Sequence, residues 1–189
     1  VLVEDGVIVK AEPHWEIHLD RLVALRLPAT LTGLLQARLD SLAAGQRRVL
    51  QSAAVIGRSF WDQAVSYLLE HSAVSKTEGV SLEAGAAIAA LTFSELIQPV
   101  QHPAFEEARE YQFKHALLRD VTYESLVRRQ RALYHGLAAR WLEAETGRSR
   151  RQNEFAALIA WHFDRAGEGS TAAAWYQQAA RQAASQYAN

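Results

Sequence analysis

The chain has 189 residues, 49% of them hydrophobic and 22% charged, with a formal net charge of −1. Those proportions argue against wholesale disorder, and the near-zero charge argues against a protein built as a whole for nucleic acid or anionic lipid. The absence of cysteine excludes disulfide frameworks, thiolate zinc sites and cysteine nucleophiles, and it suits a cytoplasmic setting.

Methionine is absent too, Val1 is not a natural start, and Tyr187-Ala188-Asn189 falls inside a helical pattern with no stop signal. An internal piece of a longer protein is expected. No apolar run approaches the roughly 20 residues that span a bilayer. No basic segment followed by an apolar stretch marks a signal peptide, so a soluble chain without a membrane partner is expected.

Residues 1–19 alternate as strands do. Val1, Val3, Val7 and Val9 flank the turn dipeptide Asp5-Gly6, and residues 14–18 alternate again, which predicts a β-hairpin or a three-strand ribbon. From Pro28 the period becomes 3.6. Leu31, Leu34, Leu35, Leu39 and Leu42 form one stripe behind Thr30 as N-cap. A second helix carries Val49, Leu50, Ala53 and Ile56 and stops at Gly57. Ser59 and Asp62 predict a capping box opening a third helix with Trp61, Val65, Leu68 and Leu69 inward. A polar loop over 72–81 and an alanine-rich helix over 83–95 follow.

Two short apolar runs, Leu96 to Val100 and Tyr111 to Phe113, flank a polar stretch containing Pro103, which predicts a hairpin. Three helices and then a hairpin is the order of a winged-helix unit. Helices are predicted over 115–127, 129–146, 153–166 and 171–188, with Gly147 closing the second and Gly167 and Gly169 separating the last pair. Ala156, Ala160, Trp161, Ala174, Trp175 and Tyr176 give that pair the look of a tetratricopeptide-type hairpin. The fold class predicted is therefore mainly α: a winged-helix-like domain with small β-hairpins, followed by antiparallel helices of tetratricopeptide type.

Catalytic signatures are missing. Lys10, Lys76 and Lys114 are the only lysines and none follows a glycine, so there is no P-loop. There is no Gly-x-Ser-x-Gly elbow and no His-Glu-x-x-His helix. His14 and His18 are four apart in a strand-like segment, where that spacing separates them by about 13 Å, unlike a helical metal pair. Glu106, Glu107 and Glu110 read as solvated wing charge rather than acid–base machinery. No catalytic residue, metal or bound cofactor is expected in this chain.

The helix at 83–95 would be the recognition helix of a winged-helix unit, and it contains no lysine or arginine. None occurs between Lys76 and Arg109, while Glu78, Glu83, Glu95, Glu106 and Glu107 do. Phosphates would repel that surface, which argues against DNA binding. Positive charge lies instead at 114–151, including Lys114, Arg119, Arg128, Arg129, Arg131, Arg140, Arg148, Arg150 and Arg151. That stretch is either a solvated helix face or a surface for an acidic partner domain or nucleotide phosphates.

Three segments carry a family likeness: residues 28–42 (PATLTGLLQARLDSL), residues 48–60 (RVLQSAAVIGRSF) and, most strongly, residues 111–126 (YQFKHALLRDVTYESL). Together they resemble the region following the nucleotide-binding core of bacterial STAND ATPases, the signal-transduction ATPases with numerous domains. The kind it resembles most accompanies class III adenylate/guanylate cyclase domains or LuxR-type DNA-binding domains, with tetratricopeptide repeats after it. The likeness covers nearly the whole chain.

It implies a P-loop domain N-terminal to Val1, so that ATP or ADP belongs to the parent protein. Residues 1–42 would end a helical lid region, 43–127 would form the winged-helix domain, and 128–189 a helical linker and the start of the repeats. In this class the winged helix packs on ADP and holds the protein off until exchange for ATP lets the domains reorient. Relatives in the apoptotic and plant-resistance branches carry a histidine–aspartate pair after the wing, the histidine touching the ADP phosphate. His115 occupies the comparable place, but Ala116 stands where the aspartate would be. Arg38 and Arg119 also match family positions and are assigned to interdomain contacts. The other readings are a DNA-binding winged-helix transcriptional regulator and a repeat-protein adaptor without nucleotide.

Overall fold

The computed structural model describes residues 8–10, 15–17, 30–72 and 80–187. The chain divides into two compact units, Val1–Leu42 and Ala43–Asn189. The described residues are mainly helical, with small antiparallel sheets.

In the first unit, strands β1 (Ile8–Lys10) and β2 (Trp15–Ile17) pair antiparallel, with Ile8 opposite Ile17 and Lys10 opposite Trp15. The expected Asp5-Gly6 turn and the histidines at 14 and 18 lie outside the described residues. Helix α1 (Leu31–Asp40) starts where the periodicity changes. Thr30 is its N-cap, and its Oγ1 accepts from Gly33 N at 3.1 Å, satisfying one of the free first-turn amides.

The second unit is built around α2 (Ala44–Ile56). Leu50, Ala53, Ala54 and Val55 are completely buried, so the second half of this helix is covered on nearly every side. Its alanines let neighbours approach closely, and each fully buried Leu or Val contributes about 1.5–3 kcal/mol. Gly57 ends the helix in an extended conformation. A Cβ there would lie 3.1 Å from the Ser59 carbonyl oxygen, so close approach rather than a left-handed turn calls for glycine.

The predicted capping box at Ser59 is not formed. Ser59–Trp61 is instead a strand, β3, and α3 (Asp62–His71) begins directly after it. Phe60 and Trp61 favour extended backbone, and the segment gains a ladder partner distant in sequence. The Asp62 carboxylate accepts from Gln63 N at 2.8 Å and from Arg109 N at 3.1 Å, fastening the helix start to the segment around Arg109. Helix α4 (Val80–Phe93) begins within the stretch expected to be loop. After it, Glu95 turns the chain at φ 57° and its carboxylate pairs with Lys114 at 3.1 Å.

The hairpin strands are β4 (Ile97–Pro99) and β5 (Glu110–Phe113). The sheet order is β3-β5-β4, all antiparallel, with Ser59 opposite Gln112 and Ile97 opposite Phe113. Phe60 and Phe113 meet at 5.6 Å between ring centroids on its buried face. Glu110, expected to be a solvated charge, braces the β4–β5 connection: its Oε2 accepts from Ala104 N at 2.7 Å.

Helices α5 (Ala116–Glu124), α6 (Arg128–Arg148), α7 (Gln152–Ala166) and α8 (Gly169–Tyr187) complete the unit. Gly147 does not close α6, which continues to Arg148. The chain turns instead at Arg150, φ 55°, and a Cβ on Gly147 would sit 3.3 Å from Gln152 Nε2 at the start of α7. Gly167 does end α7, in the left-handed conformation (φ 84°) that glycine adopts without steric cost.

An aromatic cluster anchors the first turns of α7. Trp61 lies 5.0 Å from Phe105, 5.5 Å from Trp141 and 6.1 Å from Phe155, joining β3, the β4–β5 connection, α6 and α7. The Arg151 guanidinium stacks over Phe105 and Phe155 and donates to the Ala104 carbonyl. No helix among the described residues is long and apolar enough to cross a membrane.

Candidate functional site

Strand β5 ends at Phe113, and two residues later α5 begins with His115 as its N-cap in extended conformation. The side chain of His115 makes no cap hydrogen bond and is exposed, while its carbonyl accepts from Leu118 N at 3.1 Å. One turn on, Arg119 is half-buried. Its Nε donates to the Ala54 carbonyl near the end of α2 at 2.8 Å, and Nη1 pairs with Asp120 at 3.1 Å. His115 and Arg119 thus stand on the same short helix, one toward solvent and one closing the end of α2. Arg38 lies on α1, in the first unit, where its carbonyl accepts from Ser41 Oγ at 2.8 Å.

A cleft of about 380 Å³ opens beside α5, lined by Gly57, Arg58, Ala116, Arg119, Asp120, Leu158 and Trp161. It collects an indole, the first turn of a helix and two guanidinium groups, of which Arg119 is already paired with the Asp120 carboxylate and Arg58 is left to meet an anion. Helix N-terminal amides and cations favour an anion, and an indole offers a stacking face.

Much of the basic stretch is neutralised internally. Arg131 pairs with Glu124, Arg148 with Glu145, Arg140 with Glu168, and Arg151 with Glu154 at 2.6 Å. Those pairs leave Arg128, Arg129 and Arg150 as its exposed cations outside these bonds.

Behind Arg119 lies a buried polar chain. The guanidinium carbons of Arg119 and Arg131 sit 4.8 and 4.9 Å from the centroid of the Tyr123 ring. The Tyr123 hydroxyl is 3.0 Å from His135 Nε2, and His135 Nδ1 is 2.9 Å from His162 Nδ1. Both histidines are almost completely buried. Trp161 stands edge-on to both rings at 5.0 and 4.9 Å. Burial, then the charges of Arg165, Arg119 and Arg131, pushes His135 down to about 4. Burial, then the charge of His135, pushes His162 down to about 3. Both rings are neutral at pH 7.

The network admits two proton arrangements, and the Ile56 carbonyl favours one of them. With Tyr123 donating to His135 Nε2, His135 carries its proton on Nδ1 and donates to His162 Nδ1. His162 then carries its proton on Nε2, where the Ile56 carbonyl at the end of α2 favours it. That last contact falls short of well-formed hydrogen-bond geometry.

Sequence reading reached His115 and Arg119 but not Tyr123, His135 or His162. The signal was present: His162 occupies the apolar stripe of Ile159 and Phe163, and His135 sits among Tyr134, Leu137 and Ala138, all buried. Among the described residues no group of three or more His, Asp or Glu side chains could hold a metal. No family model, curated protein or solved structure matches the chain.

Proposed function

We propose that this chain is a non-catalytic regulatory segment of a STAND-type signalling ATPase of the cytoplasm. Residues 43–127 would act as a winged-helix unit, and residues 128–189 as a linker leading into tetratricopeptide-like repeats. The segment couples the nucleotide state of a P-loop domain earlier in the same chain to a protein partner met by the repeats. Its mechanism is a two-state domain arrangement biased by ligand, with no bond made or broken here.

The observation that carries this reading is the setting of His115. Its exposed imidazole stands at the uncapped N-terminus of α5, directly after the hairpin, beside a cleft holding Arg58 and Arg119. An N–H donor and free helix amides together suit a nucleotide phosphate. The helix–strand order from α2 through β5 supports the winged-helix part, and the α7–α8 hairpin with its left-handed Gly167 supports the repeat part.

In the full-length protein, His115→Ala is expected to speed ADP release and raise basal output. Unchanged release of a fluorescent ADP analogue together with unchanged output sinks the assignment. A DNA-binding regulator is the competing reading, and α4 opposes it because it carries Glu83 and no cation. A gel-shift titration at low salt should show no retardation.

A further inference from the structure

The nucleotide reading leaves the buried Tyr123–His135–His162 chain without a task. The chain connects three helices, α5, α6 and α7, and ends against the Ile56 carbonyl of α2. Its hydrogen bonds are complete with both imidazoles neutral. The Nδ1–Nδ1 contact of 2.9 Å needs one N–H and one lone pair. A first proton, on His135 Nε2, keeps that contact if the Tyr123 hydroxyl rotates to accept. The charge so created is then uncompensated. The charged groups acting on the pair are Arg119 on α5, Arg131 on α6 and Arg165 on α7, all cations, while α2 offers only a carbonyl. The carboxylates nearby in sequence are Asp164, Asp120 and Glu124; all three are exposed, and the last two are paired with Arg119 and Arg131. A second proton sets two N–H groups against each other.

Helix α7 buries Ala156, Ile159, Ala160 and Phe163 along one face; Phe155 joins its start to the aromatic cluster, and His162 and the Arg140–Glu168 pair tie down its end. Charging His162 weakens the hold on the end while the aromatic cluster still holds the start.

We propose that Tyr123, His135 and His162 form a proton-operated clasp that holds the end of α7, and α8 with it, against α5 and α2, and that proton uptake releases them. This inference stands independently of the nucleotide reading, since no nucleotide takes part in it.

Hydrogen exchange on the 189-residue chain, corrected for the intrinsic pH dependence of amide exchange, tests the proposal. As pH falls from about 7 to about 4.5, amides of the second half of α7 and of α8 should lose protection by roughly tenfold or more. Amides of the β3-β5-β4 sheet should keep theirs over the same range. His162→Gln, which leaves His135 as the one titrating ring of the pair, should cut the step severalfold while leaving exchange at neutral pH within a few-fold of the parent. If that variant does not fold, imidazole nitrogen resonances of the parent give the same answer: both rings should charge in the interval where α7 and α8 open. The proposal is overturned if the whole second unit opens at once. It is equally overturned if parent and His162→Gln lose protection in parallel, or if the two histidines charge without any change in exchange.

Discussion

Replacing Arg119 by alanine removes three interactions at once. The hydrogen bond from a charged guanidinium to the Ala54 carbonyl contributes about 1.5–3 kcal/mol by comparison with similar bonds. The stacking of the same group on Tyr123 adds about 0.5–1 kcal/mol. Its pairing with Asp120 adds little, because that carboxylate is 58% exposed and solvent screens it. Water can reach part of the vacated space, so a net loss of about 2–3 kcal/mol is expected for Arg119→Ala. Arg119→Lys keeps the charge but not the planar fork, and should lose about half as much. Urea denaturation followed by far-ultraviolet circular dichroism measures both, with unchanged slope as the check that the unfolded state is the same. A loss below about 0.5 kcal/mol for the alanine variant would refute the assignment of Arg119 as the closure of α2. A second readout comes without further mutation: removing one of the cations around His135 should move its pKa upward.

Phe105→Ala should destabilise the second unit by about 3–5 kcal/mol, since the ring is buried between Trp61, Trp141 and Phe155; a denaturation midpoint within error of the parent would contradict the cluster. Gly57→Ala should cost about 1–3 kcal/mol, because the new methyl meets the Ser59 backbone, and thermal unfolding reads it. Stability should rise with pH between about 4 and 6.5 and level off above. The folded chain keeps His135 neutral down to about 4 while the unfolded chain protonates it near 6.5, so the unfolded state binds more protons in that window. At about 1.36 kcal/mol per pKa unit, His135 accounts for about 3 kcal/mol, and His135→Gln should make the profile there shallower while His162 maintains the remainder.

Most of the helices were readable because their signals are local. Thr30 capping α1, the α2 stripe ending at Gly57 and the left-handed Gly167 each involve residues within a turn of one another. The β4–β5 hairpin was readable for the same reason. Strand β3 was not: three residues cannot display a period, and its partner lies across two helices in β5. Gly147 misled because a glycine after a helical run signals a stop, whereas here it admits Gln152. Of the candidate site, His115 was legible from its motif and its position after a strand. The His135–His162 contact was not, since a histidine in a buried stripe declares its burial but not its partner.

The position of β5 between two partners has a consequence for the order of folding. β4 is its near neighbour along the chain, but β3 precedes α3 and α4, so pairing Ser59 with Gln112 must close a long loop. Helices α6, α7 and α8 follow one another and meet mainly local neighbours, which favours rapid formation. Pulse-labelled exchange during refolding should therefore find α6–α8 protected ahead of the sheet. Until β3 docks, Phe60 and Phe113 lack each other and one edge of β5 is open, and that interval is when the chain is most exposed to pairing with another copy of itself.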